Sequence, residues 1–230
     1  MSPPRSDLTD LLVNITAVLL DFDGPICTVY AQLTAAAIAA QLCDTLASHG
    51  VPIPTHLAQI SDPLAILSFA TTQPPDLARL VESQLRDAEL QAVGTATPTP
   101  NVTEVIDACH HTNRKVAAVS NNSQQAVAAY LTQRSLIRRF DMVVGRTSDN
   151  LQYLKPHPHL VRTAAQELKI PPSACLLVGD SDSDIQAARA AGVASIGYAN
   201  KPGKRARLAH AGAYTVIDNM NDLARALDRG

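Results

Sequence analysis

The sequence predicts an α/β protein in which a parallel sheet is covered by helices on both faces and an all-helical unit is inserted after the first strand. Three observations carry this prediction. Two apolar runs, Thr16-Ala17-Val18-Leu19-Leu20 and Ala174-Cys175-Leu176-Leu177-Val178, each end in carboxylates, at Asp21-Phe22-Asp23-Gly24 and Gly179-Asp180-Ser181-Asp182-Ser183-Asp184. From about residue 101 onward, short apolar strands alternate with helical patterns, as strand–helix–strand crossovers require. Between residues 26 and 97 no strand-like run occurs, and helical patterns follow one another instead.

In chain order, the stretch Leu11 to Leu20 reads as strand running into Asp21. It contains Asn14 and Thr16, is too short to span a bilayer, and lacks the small-residue cleavage site of a secretory leader. After Gly24-Pro25 the pattern turns helical over about 31–46, and Gly50-Val51-Pro52 stops it. A second helix is expected over 63–70. A third, over 76–93, carries Leu77, Leu80, Val81 and Leu85 at helical spacing. Pro98-Thr99-Pro100 reads as a stiff linker, so residues 26–97 form the expected cap, with 1–25 and 98–230 as the core.

Beyond the linker, Asn101 is placed to cap a helix reaching about His111. Strand 116–119 then ends at Ser120-Asn121-Asn122, followed by a helix over 124–133 and a strand over 142–144. A polar loop is expected from Arg146 to Tyr153, and a helix over 158–168 leads to the strand before Asp180. A helix over 184–191 ends at Gly192, Asp182 reads as its cap, and strands are expected at 193–196 and 214–217.

Composition narrows the function. The 230 residues are 46% hydrophobic, enough for a full core, and the formal net charge is -2. A near-neutral chain has no general attraction for nucleic acid or anionic membrane, and 3% aromatics offer no stacking platform for bases. Cys27, Cys43, Cys109 and Cys175 show no C-x-x-C spacing and read as reduced thiols of a cytoplasmic protein, with Cys27 the one placed for oxidation near the site. His110-His111, His157 and His159 lack the companions of a zinc site. The run Lys201, Lys204, Arg205, Arg207 reads most simply as a solvated loop and helix start, with guidance of anionic substrates as the alternative.

The acidic clusters carry the chemistry. Open α/β sheets bind ligands at the carboxyl ends of their strands. Gathered carboxylates repel unless a cation or proton sits among them, for which a hard metal such as Mg²⁺ is the economical explanation. A calcium loop at Asp180–Asp184 fails, because Ile185 stands where glycine is needed and Ala191 where glutamate is needed. Asp21/Asp23, Ser120/Asn121, Lys155 and Asp180/Asp184 together supply carboxylates, a hydroxyl with amides at a helix N-terminus, and a cation. Phosphoryl transfer needs those parts, since its catalysis is mainly positioning and charge neutralisation.

These four motifs, in order over essentially the whole length, resemble the haloacid dehalogenase superfamily, in the subgroup with a helical cap inserted after the first strand. The resemblance implies a Rossmann-like core. It implies that Asp21 attacks phosphorus and that Asp23 protonates the leaving alkoxide and then activates water. Mg²⁺ would be held by Asp21, the Asp23 carbonyl and Asp180, with Asp184 close by. Ser120, the Asn121 amide and Lys155 would hold the phosphoryl oxygens. Asp23 separates this chain from true dehalogenases, which attack carbon and carry no carboxylate there.

The expected function is a Mg²⁺-dependent phosphatase of a small phosphorylated metabolite, with phosphoglycolate phosphatase-like hydrolases the nearest reference. A phosphomutase of the β-phosphoglucomutase kind and a non-catalytic module on the same fold are the alternatives. The expected setting is a cytoplasmic monomer or homodimer that engages neither nucleic acid nor membrane. Pro25 departs from the threonine or valine usual after the first motif, which puts contacts from that residue in question. Few cap residues are basic (Arg79, Arg86), so no partner is evident for a second anionic group on the substrate.

Overall fold

A computed structural model describes residues 5–229. The chain opens with α1 (Arg5–Leu12), β1 (Ala17–Leu20) and a short β2 (Cys27–Thr28). Four helices follow: α2 (Ala35–Ser48), α3 (Thr55–Ala58), α4 (Pro63–Ala70) and α5 (Pro75–Val93). Then come β3 (Thr97–Pro98), α6 (Val102–His111), β4 (Lys115–Ser123), α7 (Gln124–Gln133), β5 (Met142–Arg146) and α8 (His159–Leu168). The chain closes with β6 (Cys175–Gly179), α9 (Asp182–Ala191), β7 (Ala194–Tyr198), α10 (Lys204–Ala211), β8 (Thr215–Ile217) and α11 (Met220–Leu227).

Six strands form one parallel sheet in the order β5-β4-β1-β6-β7-β8. The period-two alternation of side chains divides its core. Val18, Leu20, Val116, Ala118, Leu176 and Val178 pack on one face. Ala17, Leu19, Ala117, Val119, Cys175 and Leu177 pack on the other. The chain leaves β1 toward β4 on one side and later returns to β6 on the other. The carboxyl ends of β1, β4 and β6 therefore flank the crevice where such sheets take ligands.

Helices α2, α4 and α5 share a core of their own, including Ile38, Leu42, Leu46, Ile66, Leu67, Val81 and Leu85. The antiparallel pair β2–β3, with Cys27 opposite Pro98 and Thr28 opposite Thr97, draws together the two chain segments leading into and out of these helices. Helix α5 belongs to both assemblies: Val81 and Leu85 lie in the helical cluster, while Ala92 and Val93 join the core beside the sheet.

Several expectations need correction. The strand read over 11–20 begins only at Ala17, because Leu8, Leu11 and Leu12 share the apolar stripe of α1 at i, i+3, i+4; residues 1–4 lie outside the described chain. Asn101 does precede α6, but in the left-handed region (φ 62) and without capping it, since its Nδ2 donates to Glu104 at 3.1 Å. Ser181, not Asp182, caps α9, in a reciprocal box with Asp184, and Asp182 pairs with Arg207 at 3.0 Å. Arg146, read as loop, ends β5 and is 1% exposed. Helix α11, with Met220, Leu223, Ala224 and Leu227 buried at helical spacing, lay beyond the elements expected. Among the described residues no helix is long and apolar enough to cross a membrane.

Candidate active site

The crevice holds a cleft of about 320 Å³ that every motif residue reaches: Asp21, Asp23, Ser120, Asn121, Lys155, Asp180 and Asp184 all line it. Each arrives at the end of a strand or the start of a helix. Asp21 follows β1 directly, its N–H still donating to Val178 O at 2.9 Å. The turn after it is set by Gly24 at φ +112, and Cys27 and Ile26 donate their N–H groups to Phe22 O at 3.0 and 3.2 Å. Pro25 sits inside this turn, where its missing N–H leaves both of those bonds intact.

Lys155 is the hub. Its Nζ donates to Asp21 Oδ1 at 2.8 Å, to Asp184 Oδ1 at 2.5 Å and to Val119 O at 2.9 Å, so all three ammonium donors are engaged. The sequence reading gave Lys155 to the phosphate. In the structure its ammonium is engaged by the Asp21 and Asp184 carboxylates and the Val119 carbonyl. Burial alone pushes the Lys155 proton affinity down, but the adjacent Asp184 and Asp21 carboxylates hold it above the ordinary lysine value. Asn121 fixes the lysine from behind: Lys155 N donates to Asn121 Oδ1 at 2.8 Å and Asn121 Nδ2 donates to Lys155 O at 2.9 Å.

The carboxylates differ in what occupies them. Asp184 is wholly buried, with Oδ1 on Lys155 and Oδ2 accepting from Ser181 N at 3.0 Å and Ser181 Oγ at 2.6 Å. Asp180 Oδ2 accepts from Asn200 Nδ2 at 2.9 Å and from Lys204. Lys204, read from sequence as solvated, is thus drawn into the site. Burial first, and the Asp184 charge second, raise the Asp21 carboxyl to about 8. Burial also raises Asp23 to about 6, opposed by the Val29 N–H that donates to its Oδ1 at 2.9 Å. Cys27 is fully buried, and burial with nearby Asp23 pushes its thiol up, so it lacks the thiolate character that oxidation needs.

Ligand oxygens of Asp21, Asp180 and Asp184 lie within 4.8 Å of one another. Three hard oxygen donors, one of them burdened by its neighbours' charge, fit a hard divalent cation such as Mg²⁺ rather than a thiophilic one. Asp23 stands outside that triad by its side chain.

The amides after Ser120 do not form the open helix N-terminus that the sequence suggested. Helix α7 starts only at Gln124; Asn122 N donates to Ser120 Oγ at 3.2 Å and Ser123 N donates to Glu89 at 2.8 Å. Sequence reasoning also passed over Tyr30, Asn122, Glu89, Arg146 and the segment Ser61–Leu64. Tyr30, Asn122 and Ser61–Leu64 line the cleft, and Glu89 and Arg146 lie behind Asn122. Arg146 had a signal, since it ends an apolar strand as Asp21 does.

Two glycines make room for the carboxylates. A Cβ on Gly24 would stand 2.5 Å from Asp180 Cγ, and one on Gly179 would overlap the Asp184 side chain, 2.7 Å from Oδ2. Gly179→Ala is therefore expected to destabilise the protein by about 1–3 kcal/mol through overpacking and to displace Asp184 from Lys155. Thermal melting and turnover per folded molecule check this; wild-type values for both would show that Asp184 has room to retreat.

A parallel sheet whose central strand delivers a lysine-bound aspartate to its carboxyl edge, beside two more aspartates and under a helical cap, defines the class of capped α/β proteins with an acidic centre at the sheet's switch point. The sequence profile of the haloacid dehalogenase-like hydrolases matches residues 18–198, and the chain belongs to that family. It is 34% identical over 128 residues to a phosphoglycolate phosphatase of Salmonella paratyphi A, a match covering 56% of this chain and 50% of the relative. The corresponding Escherichia coli protein is 33% identical over 130 residues, with the same coverage. The chain thus spans about half the length of the curated relatives it matches. In fold it is similar to a predicted phosphatase from Clostridium acetobutylicum, with TM-score 0.72, 17% identity, and 94% of this chain and 99% of that one covered.

Proposed function

We propose that this chain is a Mg²⁺-dependent phosphatase that hydrolyses a small phosphorylated metabolite through an aspartyl-phosphate on Asp21. The observation that carries the reading is the Asp21 carboxylate itself, held at 2.8 Å by Lys155 at the end of the central strand, with Asp23 two residues on at the same cleft. One Asp21 oxygen is engaged by Lys155, and the carboxylate is thereby oriented to attack phosphorus. Asp23, raised to about 6, is suited both to give a proton to the leaving alkoxide and to take one from the attacking water near neutral pH. Ser120 and Asn121 line the same cleft from the end of β4, where they would meet the phosphoryl oxygens. Asp21, the Asp23 main chain and Asp180 would hold the cation, with Asp184 behind them. When bound, the ion supplies neutralisation of phosphoryl charge.

The cap side of the cleft narrows the leaving group. It is formed by Tyr30, Ala35 and Ser61–Leu64, and among the described residues it presents no cation. The two cap arginines are taken: Arg79 pairs with Asp76 at 2.5 Å and Arg86 with Glu82 at 2.7 Å, both along α5. A hydroxyl-bearing leaving group suits Ser61, Asp62 and Tyr30 better than a carboxylate, which would face Asp62 unpaired. The name phosphoglycolate phosphatase carried by the relatives therefore defines the test. Phosphate release is measured from 2-phosphoglycolate, glycerol phosphate and hexose phosphates, with and without Mg²⁺. The expected result is Mg²⁺-dependent release with glycerol or hexose phosphates preferred by about tenfold or more in kcat/KM, since an unpaired charge opposite a carboxylate is rejected strongly. Preference for 2-phosphoglycolate would overturn the leaving-group reading. Absence of release from every compound would overturn the phosphatase reading, and isomerisation primed by a sugar bisphosphate would then assign the chain to the phosphomutases.

A further inference from the structure

Behind the phosphate side of the cleft lies a buried ion pair that the proposed chemistry does not use directly. Glu89, on α5, is 0% exposed, and Arg146, at the end of β5, is 1% exposed. Their contact is bidentate: Arg146 Nη1 donates to Glu89 Oε1 at 2.9 Å and Nη2 to Oε2 at 2.8 Å. Both partners also grip the segment between Ser120 and α7. Glu89 Oε2 accepts from Ser123 N at 2.8 Å and Oε1 from Asn122 Nδ2 at 3.0 Å, while Arg146 Nη1 donates to Asn121 O at 2.9 Å. Asn122 then receives the Ser120 hydroxyl on its Oδ1 at 3.2 Å.

Main-chain or side-chain atoms of three consecutive residues are thus fixed by one pair of charges. This occurs where β4 and β5 slip register, between Val119 and Ser123. A slipped segment lacks the regular ladder that would otherwise set its conformation.

Stability is a poor explanation for such a pair, because burying two charges costs about as much as their attraction returns. The local geometry agrees. Arg146 Nε and Glu82 Oε1 face each other at 3.7 Å, and neither buried atom has a hydrogen-bond partner. A third charge, Glu82, is thus buried beside the pair without a hydrogen bond to it, which adds to the cost of burial.

We propose that Glu89 and Arg146 are positioning residues: together they set the Ser120–Ser123 loop so that the Ser120 hydroxyl and the Asn121 main chain meet the phosphoryl group. Because α5 also packs in the core of the cap helices, the same pair fixes the loop relative to the cap. The inference rests on the phosphatase reading for its ligand but not for its loop geometry, so two readouts are used.

The full-length chain is compared with Glu89→Gln, Arg146→Lys and the double variant Glu89→Leu/Arg146→Met. The double variant removes both charges together and so leaves neither Glu89 nor Arg146 as an unpaired buried ion. The lost bonds to residues 121–123 still lower its melting temperature, so each readout is taken on folded protein. Inhibition of turnover by inorganic phosphate and amide hydrogen exchange over residues 120–124 are then measured well below each melting point. Positioning predicts that the phosphate inhibition constant and KM rise by about tenfold or more in all folded variants. It also predicts faster exchange over 120–124, while exchange over 175–179 in β6 is unchanged. The conservative Arg146→Lys variant, which keeps the charge but loses the two-pronged contact, fails with the others.

A merely structural pair predicts a lower melting temperature with phosphate inhibition and loop exchange at wild-type values, and that outcome overturns the proposal. If the double variant does not fold, Glu89→Gln, nearly isosteric, carries the comparison. Wild-type protein that neither turns over a phosphate ester nor binds phosphate sinks the phosphatase reading, and hydrogen exchange alone then decides whether the pair sets the loop.

Discussion

Asp21→Asn eliminates turnover, by roughly four orders of magnitude or more, as the loss of a covalent nucleophile does in other hydrolases, and leaves the protein folded. The amide has nearly the shape of the carboxylate and fills the same slot between Lys155 and Val178. It cannot form the acyl phosphate. The electrostatics make a second prediction that separates this variant from a damaged protein. In the cation-free fold the Asp21 carboxyl is raised to about 8 from an ordinary 3.8, by burial and by the Asp184 charge. A raised carboxyl pKa means that the folded state binds the proton more tightly than the unfolded chain. The wild-type protein therefore loses stability through this group as pH climbs from about 4 to about 8.

Asparagine carries no such proton. With Mg²⁺ chelated, the melting temperature of Asp21→Asn is expected to fall less than that of wild type between pH 5 and pH 8, and to equal or exceed it at pH 8. Thermal melts across that range, alongside phosphate release, check both parts. Residual turnover within tenfold of wild type would show that another residue carries the phosphoryl group.

The residues that strand topology carries to the cleft were legible in the sequence, and those that distant packing brings there were not. Asp21, Ser120 and Asp180 follow apolar runs that only a buried parallel strand explains, so their arrival at one sheet edge follows from fold topology. Lys155 follows no strand, and its place was legible through the family motif alone. Glu89 gave a faint signal. It lies seven residues after Glu82 on the inward stripe of α5 that also carries Val81, Leu85 and Ala92, so two carboxylates stand where apolar residues belong. What they meet, Arg146 some 57 residues away, depends on how α5 lies across β5, and no local pattern encodes that. Lys204 was misread for a similar reason. A lysine at a helix start is ordinarily solvated, and only the return of β7 beside β6 brings α10 to Asp180. The cap lining at Ser61–Leu64 was missed because a polar turn before a helix looks alike whether it faces water or a cleft.

Lys155→Met is expected to damage the protein in a way Asp21→Asn does not. The lysine side chain is 2% exposed, and its two carboxylate partners are 10% and 1% exposed. Removing the ammonium takes the counter-ion from the buried Asp21–Asp184 pair, which must then hold an unpaired charge or take up a further proton. Such a change costs about 3–5 kcal/mol where one partner of a buried pair is deleted. For a chain of this size each kcal/mol moves the melting temperature by about 2–4 °C. A fall of roughly 6–20 °C is therefore expected in the absence of divalent cation. Saturating Mg²⁺ narrows the gap, because a cation held by the same carboxylates takes over part of the neutralisation the ammonium provided. Turnover drops by about a hundredfold or more, the scale on which single preorganised donors act in charged transition states. Lys155→Arg does not rescue it: the planar guanidinium cannot direct three donors at Asp21, Asp184 and Val119 O from one nitrogen. The decisive comparison is the melting temperature of Lys155→Met with and without Mg²⁺. A fall of the same size in both conditions would mean that the lysine is a packing element and that Asp21 and Asp184 are not coupled through its charge.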